Sequence, residues 1–342
     1  MTTRRRPAMV VLRGLGLGDL LTAVPALRAL RRAHPRHRIV LAAPASLAGL
    51  ASLIGAVDEM LDVSGTGPVP FERPEIAVNL HGRGPQSVAA LRRTGPARLL
   101  SHAHPDFPDV PGPSWRDDAH EVRRWCDLLA WHGVAADPAD LALEIPRDPP
   151  WTSPAPEPPP VPGRASPAEA TGPAAEGAPA PGRGPVVVHP GAARPARRWP
   201  AERFARVAAA LRREGHEVVV TGNATERSLA TRVAAAARLP ETCVLAGSTG
   251  LPELAALVAR ASLVVCGDTG VAHLATAFAT PSVVLFGPVS PALWGPLGGP
   301  HTALWAGRSG DPHGDLPDPG LLEIGVLEVL DAAADLLEVS VR

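Results

Sequence analysis

"LVVCGDTGVAHLATAFATPSVVLFGP", Leu263 to Pro288, is the stretch whose reading decides the fold. An apolar run, Leu263 to Cys266, breaks into Gly267-Asp268-Thr269-Gly270, where a helical pattern begins; a second apolar run then follows. Strand, tight turn, helix and strand in this order form the βαβ unit of a parallel sheet. The turn also has a chemical reading. Gly267 and Gly270 allow close backbone approach, Thr269 offers a hydroxyl, and the helix start offers N–H groups without intrahelical partners. Such a turn can hold a diphosphate without Lys or a metal ion. His273 lies one turn further on, on the face of Thr269. The same residues also read as an ordinary helix start, with Asp268 or Thr269 as cap and His273 a satisfied partner.

Working outward, the alternation repeats on both sides. After Pro185 come "VVVHP", "AERFARVAAALRREG", "EVVVTG", "ERSLATRVAAAAR" and "LPELAALVARA", and a last helical pattern spans Leu321 to Leu337. The first half offers "MVVLR", "RIVLAA", "EMLDV" and "IAVNL" as strands, with "DLLTAVPALRALRRAH" and "PASLAGLASLIG" as helices between them. Near-continuous apolar strands with crossover helices predict parallel sheets covered on both faces. Pro149 to Pro185, made of Pro, Ala, Gly and Glu with hardly an aliphatic residue, predicts an extended, disordered linker. The chain thus divides into residues 1–148, a linker 149–185, residues 186–320 and a closing segment 321–342.

Composition narrows the function. The 342 residues carry a net charge of −1, which argues against nucleic acid as a partner. Every basic side chain is Arg or His. Cys126, Cys243 and Cys266 lie far apart, which suits buried thiols in a reducing, cytoplasmic setting better than a disulfide framework. The triplet Arg4-Arg5-Arg6 is not followed by an export-signal core, because Arg13 and Asp19 interrupt the apolar stretch. No apolar run reaches the roughly 18 residues of a membrane span, leaving at most peripheral membrane association.

Two further stretches carry chemistry. "HPGAARPARRWP", His189 to Pro200, places Arg194, Arg197 and Arg198 at a strand's C-terminal end, where open α/β sheets bind ligands. It reads equally as a solvated basic turn. "VVLRGLGLGDLL", Val10 to Leu21, has the glycines of a phosphate turn, but Asp19 stands where the third glycine of a dinucleotide fingerprint belongs. With apolar positions Leu20, Leu21, Val24, Leu27 and Leu30 at helical spacing, Asp19 reads as the cap of an amphipathic helix.

"GLGLGDLLTAVPALRAL", "HPGAARPARRWPAERFARVAAAL", "VVVTGNATERSLA" and "VVCGDTGVAHLATAFATPSVVLFGP" together resemble the family 9 glycosyltransferases, which include ADP-heptose:lipopolysaccharide heptosyltransferases. The resemblance implies a GT-B fold of two Rossmann-like domains facing a cleft, acceptor on the first and nucleotide sugar on the second, with the closing helix packing back on the first. It implies an inverting transfer without metal or other cofactor, from a nucleotide-sugar donor, ADP-linked, to a glycan or glycolipid acceptor. Asp19 becomes the general base, kept ionised by the helix N-terminus. Arg197, Arg198, Glu226, Asp268, Thr269, Gly270, Val271 and His273 become donor contacts. Arg197 stands where the family often has Lys. "NLHGRGPQS" offers His81, Arg83 and Gln86 at a strand end of the first domain as acceptor contacts, and reads also as an ordinary turn. Asp311, His313, Asp315 and Asp318 invite a metal reading, but their Pro and Gly spacing favours turns, in a crossing back to the first domain. A GT-B nucleotide-sugar epimerase and a non-catalytic nucleotide-sugar-binding protein remain alternatives on the sequence alone.

Overall fold

The computed structural model describes residues 6–145 and 184–339. The first part runs β1 (Ala8–Leu12), α1 (Leu17–Thr22), α2 (Val24–Ala33), β2 (Arg38–Ala43), α3 (Ala48–Ala51), β3 (Glu59–Asp62), β4 (Ile76–Asn79), α4 (Gln86–Arg92), β5 (Arg98–Leu100) and α5 (Glu121–Trp131). The second begins β6 (Val186–His189), α6 (Ala201–Arg213), β7 (Val218–Val220), α7 (Arg227–Ala236), α8 (Leu251–Arg260), β8 (Leu263–Gly267) and α9 (Gly270–Ala277). It ends β9 (Ser282–Phe286), α10 (Pro291–Trp294), β10 (His301–Trp305), α11 (Pro319–Glu323) and α12 (Val326–Val339).

Two five-stranded sheets result, ordered β3-β2-β1-β4-β5 and β10-β9-β8-β6-β7, and every strand pair is parallel. In both, the order reverses beside a strand that leads into a glycine turn. β1 lies between β2 and β4, with Leu12 opposite Ala42 and Asn79. β8 lies between β6 and β9, with Cys266 opposite His189 and Val284. Crevices for ligands open at such reversals, outside the carboxyl ends of the strands. These are two Rossmann-like domains in a GT-B arrangement.

The central strands are apolar because helices cover both their faces: Met9, Val10, Val11 and Leu12 are all buried, as are Leu263 to Cys266. One apolar cluster runs from Met9, Leu20 and Leu27 in the first domain to Val271, Leu274 and Phe286 in the second. The domains meet where α1 packs on α9, α3 on α8 and α5 on α10. His120 ties the last pair. Its Nδ1 accepts from Val122 N–H at the start of α5, and its Nε2 lies 2.9 Å from the Gly295 carbonyl that follows α10.

Several expectations are corrected in detail. The single helix read over "DLLTAVPALRALRRAH" is two, meeting at Ala23, because Pro25 has no N–H and its ring conflicts with a continuous helix. Helix α1 starts three residues earlier than the capping reading requires: Gly16 is the N-cap, and Asp19 sits at the third helical position. Among the described residues the closing segment packs on the second domain and not, as expected, on the first. It forms α11 and α12, and α12 packs on α6 and on β8, β9 and β10. Trp199 Nε1 and Arg203 donate to the Ile324 carbonyl at the break between the two helices, directing the buried Val329 and Ala333 onto the second sheet. Nor does the 311–318 stretch cross back, since Ala196 N–H donates to Gly314 O and Asp318 N–H to Ala196 O within the second domain.

The expected linker falls largely outside the described residues, at 146–183. Its last two residues are packed, with the Pro185 carbonyl accepting from Ser262 N–H. All three cysteines are free, Cys126 and Cys266 buried and Cys243 partly exposed. Among the described residues no helix is long and apolar enough to cross a membrane.

Candidate active site

A cleft of about 910 Å³ opens between the two glycine turns. Asp19 lines it from the first domain; Arg197, Arg198, Glu226, Asp268, Thr269, Gly270, Val271 and His273 line it from the second. Every donor-side residue singled out in the sequence therefore meets Asp19 in one cavity.

The α9 end is built as an anion cradle. Thr269, the N-cap, is extended and makes no side-chain cap bond, so its hydroxyl is not spent on the helix. The N–H groups of Gly270 and Val271 belong to the first turn, which has no intrahelical acceptors to offer them. Asp268 does not cap the helix. Its side chain is buried and faces Arg197 at 3.2 Å, while its N–H donates to Leu285 O. Burial pushes the Asp268 carboxyl above its ordinary range; the Arg197 guanidinium opposes that rise and the charge of Asp19 adds to it. Arg197 keeps its buried Nε–H without a partner among the described residues, leaving a donor for an incoming anion. Arg198 spends its Nε on Ala192 O. Glu226 accepts from Asn223 N–H at 2.9 Å and packs so close to Gly191 that a Cβ there would come within 2.2 Å of Oε1.

Gly270 owes its identity to something the turn alone does not show. A Cβ on it would lie 2.7 Å from Leu17 Cγ, so its missing side chain makes room for the first domain. The reciprocal holds at Gly18, where a Cβ would lie 2.8 Å from His273 Cδ2. Two glycines thus bring the helix starts of α1 and α9 together. His273 stacks edge-on to Trp294 at 6.0 Å, and burial lowers its pKa to about 4, so it is a neutral imidazole at physiological pH.

Asp19 Oδ2 accepts from Gly16 N–H at 3.2 Å, and Oδ1 lies 3.4 Å from Arg13. Contrary to the sequence reading, the helix start does not dominate its ionisation. Burial raises its pKa, with the Glu121 charge adding to the rise; the Arg13 charge and the Gly16 hydrogen bond pull it back. A carboxylate so placed is more basic than an exposed one.

The acceptor candidates lie apart from this cavity. Arg83 and Gln86 are exposed, and His81 donates its N–H to Asn79 Oδ1 in the loop after β4. That loop is linked to Asp19 through Arg13, which donates both to Leu80 O and to the Asp19 main-chain oxygen. In the 311–318 stretch the carboxylates make turns, Asp311 accepting from His313 N–H and Asp318 capping α11. Among the described residues no group of three or more His, Cys, Asp and Glu could hold a metal ion. Sequence reading missed Arg13, Glu121 and Trp294. Arg13 had left a trace, as a cation directly after four apolar strand residues.

The sequence model of glycosyltransferase family 9 (heptosyltransferase) matches residues 117–317, more than half of the chain. The chain belongs to that family. This glycosyltransferase resembles solved structures over nearly its whole length. A family 9 glycosyl transferase from Veillonella parvula shares 22% identity at TM-score 0.74, covering 99% of each chain. The E. coli ADP-heptose lps heptosyltransferase II shares 21% at TM-score 0.72, covering 98% of this chain and 100% of that one. The dodecameric iron-containing heptosyltransferase TibC, solved with ADP-D-beta-D-heptose, shares 15% at TM-score 0.60, covering 99% of this chain and 78% of its own. No curated protein sequence matches the chain. Membership of the family makes the chain a glycosyltransferase of the heptosyltransferase-like, nucleotide-sugar-using kind.

Proposed function

We propose that the protein is an inverting, metal-independent glycosyltransferase that moves heptose from an ADP-linked donor onto a hydroxyl of a glycan or glycolipid, with Asp19 as general base. One observation carries this reading: Asp19 and the open start of α9 face the same cleft from opposite domains. In an inverting displacement the acceptor oxygen attacks the anomeric carbon on the face opposite the departing diphosphate. A base on one wall and an anion cradle on the other suit that line of attack.

In this mechanism Thr269 and the N–H groups of Gly270 and Val271 hold the diphosphate, with Arg197 contributing its unpaired Nε–H. Helix dipole and guanidinium then stabilise the leaving charge without a cation. Asp268 orients Arg197, His273 lines the sugar subsite as a neutral imidazole, Glu226 meets the ribose, and Arg198 lines the nucleotide end. The acceptor enters from the first domain, and the exposed Arg83 and Gln86 and the adjoining His81 contact the part of it that extends beyond the cleft. The ADP-heptose assignment draws on the heptosyltransferases of like fold, and the free cysteines suit a cytoplasmic reaction.

Asp19→Asn is the test. Asn retains an oxygen for Gly16 N–H but has no basicity, so transfer should fall by about 10²–10⁴ with donor affinity preserved. The product of the wild-type enzyme should show the opposite anomeric configuration by NMR. Full activity in a folded Asp19→Asn protein, or a retained anomer, would overturn the mechanism.

A further inference from the structure

Arg13 follows β1 and is fully buried, a place a guanidinium takes only when its donors are satisfied. Its Nε donates to the main-chain oxygen of Asp19 at 2.8 Å, and one terminal nitrogen donates to Leu80 O. The other terminal nitrogen is shared: 2.9 Å from Glu121 Oε1, 3.2 Å from Thr22 Oγ1 and 3.4 Å from Asp19 Oδ1. The guanidinium also lies 4.7 Å over the Trp125 ring.

Glu121 opens α5 and is held from three sides. Oε1 accepts from Arg13 and from Trp125 Nε1 at 3.0 Å; Oε2 accepts from Arg124 Nε at 3.1 Å. Arg124 is itself fixed over Trp115 at 4.0 Å and donates to Ala119 O. Two guanidiniums and two carboxylates make the cluster neutral when Asp19 is ionised. Neither Arg13 nor Glu121 lines the cleft, so both act on Asp19 from behind.

The contact lengths within this cluster are unequal, and that inequality has a consequence. A guanidinium fork free to turn would take Asp19 in a bidentate pair, the strongest geometry open to it. That would draw the carboxylate inward and quench it. Here the shorter contact goes to Glu121, and Asp19 retains only the longer one.

We propose that Glu121 is a positioning residue for Asp19, acting through Arg13: it anchors the guanidinium whose Nε holds the Asp19 main chain, and it occupies the nitrogen that would otherwise capture the Asp19 carboxylate. The proposal rests on the base role given to Asp19 above. Among the described residues the charged groups that bear on Asp19 are Arg13 from the end of β1, Glu121 from α5 and, across the cleft, Asp268 with its partner Arg197 before α9; the neutral His273 of α9 lines the same cleft. Only Glu121 bears on both the orientation of Arg13 and the charge around Asp19.

The experiment is Glu121→Gln in the full chain. Gln keeps the size and one acceptor but removes the charge. We expect an unchanged donor KM and a kcat lowered by about 10- to 100-fold, the order that a misplacement of about 1 Å costs. The acid limb of the kcat profile should move to lower pH, because Asp19 then faces Arg13 without the opposing anion. A merely structural role would lower thermal stability and leave that limb in place, which overturns the proposal. Should Glu121→Gln not fold, Glu121→Asp keeps the charge but shortens the reach; kcat should fall with the limb held, and a wild-type kcat would overturn the idea. An NMR titration of the 13C-labelled Asp19 carboxyl needs no turnover. Its midpoint should move down in Glu121→Gln; an unmoved midpoint refutes the coupling. A moved midpoint in a protein that transfers no sugar supports the coupling and removes the base role instead.

Discussion

Gly18→Ala tests whether the close approach of α1 and α9 sets the reacting geometry. The added methyl would sit 2.8 Å from His273 Cδ2 and 3.3 Å from its Nε2. Carbon atoms rest at about 3.5–4.0 Å, and with the imidazole desolvated and packed on Trp294 we expect the two helix starts to part by roughly 1 Å. Asp19 is the next residue on α1 and recedes from the diphosphate cradle by a similar amount. A misplacement of about 1 Å costs on the order of 10² in rate, close to 3 kcal/mol of barrier. The fold should lose only the 1–3 kcal/mol or so of an overpacked contact. Donor affinity should hold, since the proposed donor contacts belong to the second domain. The assay is steady-state transfer with calorimetric donor binding on Gly18→Ala, His273→Ala and the double variant. With the imidazole removed, the methyl at position 18 has room, so Gly18→Ala should cost almost nothing in the His273→Ala background. Equal losses in both backgrounds, or a wild-type kcat in Gly18→Ala alone, would refute the reasoning.

The pH dependence follows from Asp19. Its pKa lies above the ordinary 3.8, and a protonated carboxyl cannot take the acceptor proton, so kcat should fall as pH drops through the raised value. His273, near 4, stays neutral over the physiological range and should add no limb near 6.5; a profile flat down to the ordinary aspartate value would contradict this. Transfer should persist in EDTA; a loss restored by magnesium, manganese or iron would place a cation in the site, a live contrast given the iron-containing TibC. Arg197→Ala should weaken donor binding by about 10-fold or more, more strongly at low salt, because it removes a charged donor and leaves Asp268 unpaired. Unchanged calorimetric affinity would move the diphosphate elsewhere.

What could be read in advance depended on the range of the interaction. The Leu263–Pro288 stretch was readable because its strand, turn and helix interact within a few residues, and periodicity records such contacts directly. Asp19 was found as a residue but misplaced within its helix. An acid at the cap and an acid in the first turn look alike in sequence, and here the backbone of Gly16 took the cap. The amphipathic closing helix announced an apolar face but not its partner. That choice fell to Trp199 and Arg203, more than a hundred residues away, through one carbonyl at Ile324. Glu121 was the hardest to see. It meets Arg13 across 108 residues, and nothing near either one marks the pairing. A buried cation after a strand should therefore prompt a search for the anion that makes its burial tolerable, because a lone buried charge is far too costly to stand. In this chain that search leads from Arg13 to Glu121 and back to the carboxylate of Asp19, the group on which the proposed chemistry turns.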